Sequence, residues 1–284
     1  FARFIVKLLI IALTALKSNK TRFFLASLGI MIGIAAVIVM VAIGKGSQHE
    51  VMTVIAKMGE NLLTINAGEM KRRGGRLRLS GNVTTLNRRD VDYLSKEVGG
   101  IAFIAPFEVK EMKVKHLQVL TSTNVAGSTL EFLETRNYEI ASGEMFTEMD
   151  QKLGARVAVV GKTVIKNMLG GEDPLGKTVR INAIPFRVIG IFESKGLDSD
   201  GIDQDDILLI PIKAMLRRVL NQSHISTIYV KADSRRNIER VSVRIKTALR
   251  DRHKITDGAE NDFTITSQID LENLKAETSE LFTR

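Results

Sequence analysis

Phe23 to Ile43, FFLASLGIMIGIAAVIVMVAI, is twenty-one consecutive residues without a charge, closed by Arg22 on one side and Lys45 just beyond the other. At ~1.5 Å of rise per residue a helix of this length spans roughly 30 Å, the thickness of a bilayer's hydrocarbon core. A buried helix of a large soluble protein is the less favoured alternative. Gly29 and Gly33 form a GxxxG within the run, a spacing that lets a second membrane helix approach closely. Glycine is common in membrane helices, so the spacing favours a packing partner only modestly. The stretch predicts a transmembrane helix over 23–44.

Upstream, Phe1 to Lys17 predicts a helix lying in the membrane interface, with Arg3, Lys7, Thr14 and Lys17 as a narrow polar stripe on an apolar body. A signal peptide is the alternative, because Leu8 to Leu16 follows two basic residues, but no small-residue cleavage site precedes the longer span. Arg3, Lys7, Lys17, Lys20 and Arg22 lie before the span, against only Lys45 and Lys57 just after it. The positive-inside rule therefore puts the N-terminus, with the interfacial region 1–22, in the cytoplasm and everything after Gly44 outside.

The 284 residues allow one anchor and one or two folded domains, and a hydrophobic fraction of 44% is too ordinary for a polytopic bundle. The chain starts at Phe1 and stops at Arg284 inside a helix-like pattern, and is read as part of a longer product. Cysteine is absent, which excludes structural disulfides and thiolate metal sites without choosing a compartment. A net charge of +9 points to nucleic acid or an anionic membrane surface.

Beyond the span, 45–60 keeps helical spacing through Val51, Val54, Ile55 and Met58 and ends at Gly59, which predicts a stalk helix. Asn61 to Asn66 predicts a strand. Gly68 to Asn82 carries Lys71, Arg72, Arg73, Arg76 and Arg78 among glycines and predicts a mobile, solvated loop. Contact with acidic head groups or a partner is the remaining use of that loop; it has no aromatic side chain to stack on bases. A helix over Asn87 to Val98 and a strand over Ile101 to Phe107 complete a β-α-β unit. A second unit follows at Ile225 to Ala232, a helix over Ser234 to His253 capped by Ser234, and Asp262 to Thr266. The expected fold class is α+β, with one domain formed by 61–107 and 221–266 and a strand-rich subdomain, 108–220, inserted into it. Short helices at Lys162 to Leu169 and Lys213 to Leu220 interrupt the insert. Residues 267–284 predict a second stalk helix leading back toward the membrane.

No stretch carries a legible active site. Gly171 to Thr178, GEDPLGKT, matches the letters of a phosphate-binding loop, but such a loop needs a strand before it and a helix after it. Here a helix end precedes, and VRINAIPFRVIG alternates like a strand pair, so turns fixed by Pro174 are the better reading. Asp198, Asp200, Asp203, Asp205 and Asp206 invite calcium, but Ile202 and Leu209 fall where oxygen ligands are needed, and a solvated loop is favoured. His49, His116, His224 and His253 are scattered, none at zinc-ligand spacing. No cofactor and no catalytic residue are assigned.

Asn19-Lys20-Thr21-Arg22 running into Leu28-Gly29-Ile30-Met31-Ile32-Gly33 resembles the first transmembrane segment of the MacB family of ABC-transporter permeases, relatives of the FtsX and LolC mechanotransmission permeases. The resemblance continues through Val157-Ala158-Val159-Val160-Gly161, Asp173-Pro174-Leu175-Gly176-Lys177 and Pro185-Phe186-Arg187-Val188-Ile189-Gly190 to Asp205-Asp206-Ile207 and Ile210-Pro211. It ends in Leu249-Arg250-Asp251-Arg252-His253 before Asp262-Phe263. Ala26 departs from the threonine common in the family.

The resemblance implies a four-helix permease in the bacterial or archaeal cytoplasmic membrane. Its large extracytoplasmic domain would consist of a Porter part, the two β-α-β units, and an inserted β-rich Sabre part. It implies ATP hydrolysis by a separate subunit or fused domain, a homodimer or heterodimer of permeases, and a periplasmic adaptor protein as a further candidate partner. Mechanotransmission would follow, with Gly29 and Gly33 at a helix contact and Asn19, Lys20 and Arg22 near the ATPase. Drugs, peptides or lipid-linked molecules are the expected cargo. A lipoprotein-releasing or cell-wall-regulating relative is the near alternative, and an anchored sensor or adaptor without ATPase the distant one. Nucleic-acid binding is the weakest candidate.

Overall fold

The computed structural model describes residues 20–57, 61–73, 76–80, 84–198 and 201–267. The expected interfacial helix, Asn19 and the expected closing helix beyond Ser267 lie outside the described residues. So do the side chains at 22, 23, 26, 43–57, 69–73 and 76–80. The chain divides into two compact units, 1–53 and 54–284.

The first unit is dominated by α1, Lys20–Lys57, a 38-residue helix that is ~57 Å long at 1.5 Å per residue. Its apolar side chains point in every direction: the successive residues Ile30, Met31 and Ile32 are 65%, 62% and 61% exposed. Ser27, the hydroxyl in this run, donates back to the carbonyl of Phe24 at 3.0 Å and so needs no outside partner. Side chains are described for Phe24, Leu25 and 27–42 of the apolar run. Among the described residues no helix is long and apolar enough to cross a membrane.

In the second unit the strands β1 (Leu62–Ala67), β4 (Ile101–His116), β11 (Thr227–Ala232) and β12 (Phe263–Ser267) form an antiparallel sheet in the order β12-β1-β11-β4. Helices α2 (Arg88–Glu97) and α7 (Ile238–Arg252) connect β1 to β4 and β11 to β12. Each β-α-β therefore straddles a strand of the other, the interlocked split β-α-β arrangement of ferredoxin-like domains. Period-two alternation sends Leu63, Ile65, Ile228 and Val230 to one face, where Leu94 of α2 and Val241, Ile245 and Leu249 of α7 cover them. The α7 start differs from expectation. A 3-10 turn, Arg235–Asn237, precedes it, and the Ser234 hydroxyl donates to Asp233 Oδ1 at 3.3 Å instead of capping the helix.

The strand expected to end at Phe107 runs unbroken to His116, 16 residues or ~53 Å. Its first half pairs with β11, and from Glu108 onward it pairs with β5 (Val119–Ser128). From β5 the ladder passes to β10 (Ile207–Pro211), β7 (Val157–Val160) and β9 (Ile184–Phe192), which also carries β6 (Ile140–Gly143) on its outer edge. β8 (Thr178–Ile181) pairs with β9 and, through Val114↔Ile181, with β4 again. The pairings thus close on themselves. Val160, Leu208 and Ile210 turn toward one buried cluster, with α5 (Lys162–Leu169), while Val159, Ile207 and Leu209 turn toward another. Strands buried on both faces have no solvent side, which explains the continuous apolar runs VAVV and ILLI.

An aromatic row joins this closed set to the four-stranded sheet. Tyr229 of β11 stands 5.1 Å from Phe107, which stacks on Phe132 at 5.4 Å; Phe132 stacks on Tyr138, and Tyr138 meets Phe192. Phe132 belongs to α3 (Phe132–Arg136) which, like α4 (Glu148–Leu153), has no counterpart in the sequence reading. The basic stretch read as a loop is a hairpin of β2 (Glu69–Arg73) and β3 (Arg76–Ser80). The helix expected over Lys213 to Leu220 is one turn, α6 (Ile212–Ala214), continued by a π-helical turn, Met215–Val219.

Candidate functional site

Asn87-Arg88-Arg89-Asp90 opens α2 with reciprocal caps. The Asn87 side chain accepts from the Arg89 N–H at 2.9 Å, and Asp90 Oδ2 accepts from the Asn87 N–H at 2.7 Å. That bond turns the Asp90 carboxylate inward, where it is 1% exposed. Its other oxygen accepts from Arg252 Nε at 2.6 Å, in the last turn of α7. His253 comes next. Its Nδ1 lies 2.9 Å from both Asp262 carboxylate oxygens, and its Nε2 faces Asp90 Oδ2 at 3.6 Å, an ion-pair separation too long for a hydrogen bond. Thr85 donates to the Asp262 carbonyl at 2.8 Å, and Arg250 gathers the turn before β12 by donating to Thr256 O, Ala259 O and Asn261 Oδ1.

The charges support one another. Burial pushes the Asp90 carboxyl up, but the facing His253 together with bonds from Arg252 and the Asn87 N–H outweighs it and holds it below the usual carboxylate range. The facing Asp90 carboxylate holds His253 above the ordinary histidine range against the opposing effect of burial, with Asp262 adding to it. The carboxylate stands at the positive end of α2 and the cations at the negative end of α7. The segment Leu249-Arg250-Asp251-Arg252-His253 with Asp262-Phe263 is therefore the clamp between the two helices and the β12 edge.

Above the clamp opens a cleft of about 800 Å³. Arg88 and Arg89 line it from the start of α2, Lys213 and Arg217 from α6 and the π-turn, and Arg252 from α7. Asp90 is the one carboxylate in its lining. The π-turn positions Arg217. Leu220 N–H bonds five residues back to Met215 O at 2.9 Å, and Met215 packs so closely on β5 that a Cβ on Gly127 would lie 2.4 Å from it. With Asp90 held ionised and His253 hydrogen-bonded through Nδ1 and facing the Asp90 carboxylate through Nε2, the arrangement suits binding of oxyanions better than proton transfer.

The other sequence-derived candidates lie elsewhere. Gly29 and Gly33 stand on α1, where an added Cβ would meet nothing within 4 Å. Lys20 is exposed at the start of α1; Arg22 is helical with its side chain outside the described residues, as is all of Asn19. GEDPLGKT forms turns: Asp173 Oδ1 accepts from the Leu175 N–H, Lys177 N–H bonds to Pro174 O, and strand β8 follows.

The acidic loop is less solvated than expected, because Asp205 is buried and accepts from Ser194 Oγ and from the backbone N–H groups of Lys195 and Gly196. Asp203 accepts from Thr163, Asp206 from Thr123, and Asp198 from the Ile202 N–H, while Asp200 lies outside the described residues. The Asp90 clamp escaped the sequence reading because Arg252 is 162 residues from its partner. The visible trace was Asn87 three residues before Asp90, an N-terminal capping pattern.

Comparison with known proteins accords with this architecture. Residues 23–248 match the family described as the MacB-like periplasmic core domain. The chain is similar to the macrolide export ATP-binding/permease protein MacB of Chlorobaculum tepidum, 32% identical over 269 residues, 95% of this chain and 41% of that protein. The corresponding protein of Rhodospirillum rubrum is 34% identical over 241 residues, 84% of this chain and 36% of that protein. The chain spans about two-fifths of the length of these relatives. The crystal structure of the periplasmic region of MacB from Actinobacillus actinomycetemcomitans aligns with a TM-score of 0.63 at 25% identity, over 78% of this chain and 95% of that one. The extracellular domain of the noncanonic ABC-type transporter YknZ from Gram-positive bacteria shares the fold, with a TM-score of 0.58 at 18% identity over 72% of this chain and 100% of that one. With most of its length matched, the chain belongs to the MacB-like periplasmic core domain family.

Proposed function

We propose that the chain is the first transmembrane helix and the extracytoplasmic domain of an ABC-transporter permease that passes ATP-driven motion to the outside of the membrane. The carrying observation is α1, whose described apolar side chains are exposed on all sides; those residues alone fall short of a membrane span, and Phe23, Ala26 and Ile43 of the sequence complete the uncharged run. An all-round apolar helix is stable only in a protein core or a bilayer. The relatives' names, macrolide export ATP-binding/permease proteins, point the same way. ATP hydrolysis belongs to a partner subunit or fused domain, two permeases associate, and Gly29 and Gly33 give their helices a close contact. The chain enters the four-stranded sheet at Leu62 and leaves it at Ser267, and Leu63 pairs with Ser267, so a pull on either flanking segment reaches the same end of the sheet. The parts 61–107 with 221–266 and 108–220 act as Porter and Sabre, with efflux of drugs, peptides or lipid-linked molecules as the transport step.

The test is purification of the full-length product from membranes. A stoichiometric ATPase whose activity depends on this chain is expected; its absence from a folded, monodisperse preparation would favour an anchored sensor. Replacing Gly29 and Gly33 with Leu is expected to uncouple hydrolysis from transport, and unchanged transport would remove the helix-contact role.

A further inference from the structure

We propose that the cleft over the Asp90 clamp is a docking site for a carboxylate-rich peptide segment of a partner protein. Five cations from three separate elements line it against one carboxylate, and that carboxylate is buried against Arg252. Arg88, Arg89 and Arg217 are exposed, and none has a salt bridge or side-chain hydrogen bond among the described residues. Arg252 is already paired with Asp90 and Lys213 donates to the Lys152 carbonyl, so the three arginines are the cations left for an entering anion. Arginine forks hold carboxylates in pairs of hydrogen bonds. The positive end of α2 opens into the same space, and anions are favoured there.

Two further observations mark the cleft as more than a solvated surface. His253 lines it with a side chain 10% exposed, and its Nε2 is buried without a hydrogen bond. One wall is a π-helical turn, a form that recurs at functional sites and here sets Arg217 opposite the start of α2.

The choice of a partner protein over the chain's own membrane rests on the membrane reading above. The chain enters and leaves at the Leu63↔Ser267 end of β1, whereas the clamp sits beyond the Ala67↔Phe263 end. That is four residues along the strand, ~13 Å from the end at which the chain enters and leaves the sheet. The preference for an anionic occupant stands without that reading.

The test uses the full chain in zwitterionic detergent, with fluorescence anisotropy of a labelled hexaglutamate peptide and hexaglutamine as control. Saturable binding of hexaglutamate alone is expected, weakening as salt is raised. The triple variant R88E/R89E/R217E, at exposed positions that hold nothing in the fold, is expected to weaken binding at least tenfold. The control K110E/K113E/K115E, at exposed positions of β4, is expected to stay within twofold. Equal loss in both triple variants, or none in the first, would overturn the proposal. So would a wild-type protein that ignores the peptide and binds phosphatidylglycerol vesicles through the three arginines. Cleft-dependent peptide binding by a chain that stays monodisperse without detergent would support the site while removing the membrane reading.

Discussion

Asp90→Ala removes the centre of the clamp, and its cost follows from what is left behind. The Asn87 N–H loses its acceptor, a cap worth ~1 kcal/mol. Arg252 Nε loses a charge-assisted bond of ~1.5–3 kcal/mol, and His253 keeps only Asp262. Breaking a buried pair costs ~3–5 kcal/mol in general, but the Arg252 side chain is 27% exposed and can regain water. The low end applies, about 3 kcal/mol. With a urea dependence of ~2.5 kcal/mol per molar, the midpoint for unfolding of the second unit drops by about 1.2 M. The assay is urea unfolding of the full chain in detergent, followed by near-UV signal from the aromatic row. Arg252→Ala and the double variant complete a thermodynamic cycle, with a coupling of ~1.5–3 kcal/mol expected. A loss below ~0.5 kcal/mol for Asp90→Ala, or additive single variants, would refute the account of the clamp.

Other expectations follow from the same geometry. His253 titrates above its usual range, so its contribution is full below the unfolded value of 6.5 and fades as pH rises through the folded one. Asp90, held low, contributes fully above 3.8 and fades toward acid. Melting temperature should therefore peak between these limits, and His253→Gln should flatten the alkaline limb while leaving the acid limb; an unchanged alkaline limb would count against the histidine. Gly161→Ala places a Cβ 2.2 Å from Asp205 O and should cost about 2 kcal/mol or more in urea unfolding, whereas Gly170→Ala, with open space at φ +63, should lose only ~1 kcal/mol. Asp205→Asn should cost ~2–3 kcal/mol by replacing an acceptor of three hydrogen bonds. A calcium titration should leave the melting temperature unmoved, because the described carboxylates of that loop already accept from protein groups; a rise with calcium would refute this.

The sequence reading succeeded where one segment carries its own pattern. The alternation of Leu63 and Ile65 and of Ile228 and Val230 marks strands with one covered face, and Asn87 with Asp90 marks a helix start. It failed where the outcome depends on partners far along the chain. Glu69–Arg73 and Arg76–Ser80 pair in a register that puts Lys71 beside Arg78 and Arg73 beside Arg76, a charge density in the sequence that reads as loop in isolation. Ile101 to Phe107 and the strand EVKEMKVK from Glu108 read as two strands of two parts, yet they are one strand whose partner changes from β11 to β5. The π-turn at Met215–Val219 has ordinary helical composition; its wider winding accompanies the close fit of Met215 against Gly127.

The order of strands β12-β1-β11-β4 has a consequence for biosynthesis. β1 is made early, but both its neighbours come from the end of the domain: Leu62 waits for Lys231, and Leu63 for Ser267. At ~5–20 residues per second, the ~200 residues between them take roughly 10–40 s to appear. For that interval both hydrogen-bonding edges of β1 and the side chains of Leu63 and Ile65 stand uncovered, the condition in which nascent strands pair with the wrong partner. The closed ladder of 108–220, whose own partners are nearer in sequence, can form meanwhile. A translating ribosome thus releases a finished insert on an unfinished base, and a chaperone acting on this chain has its clearest target in LLTINA.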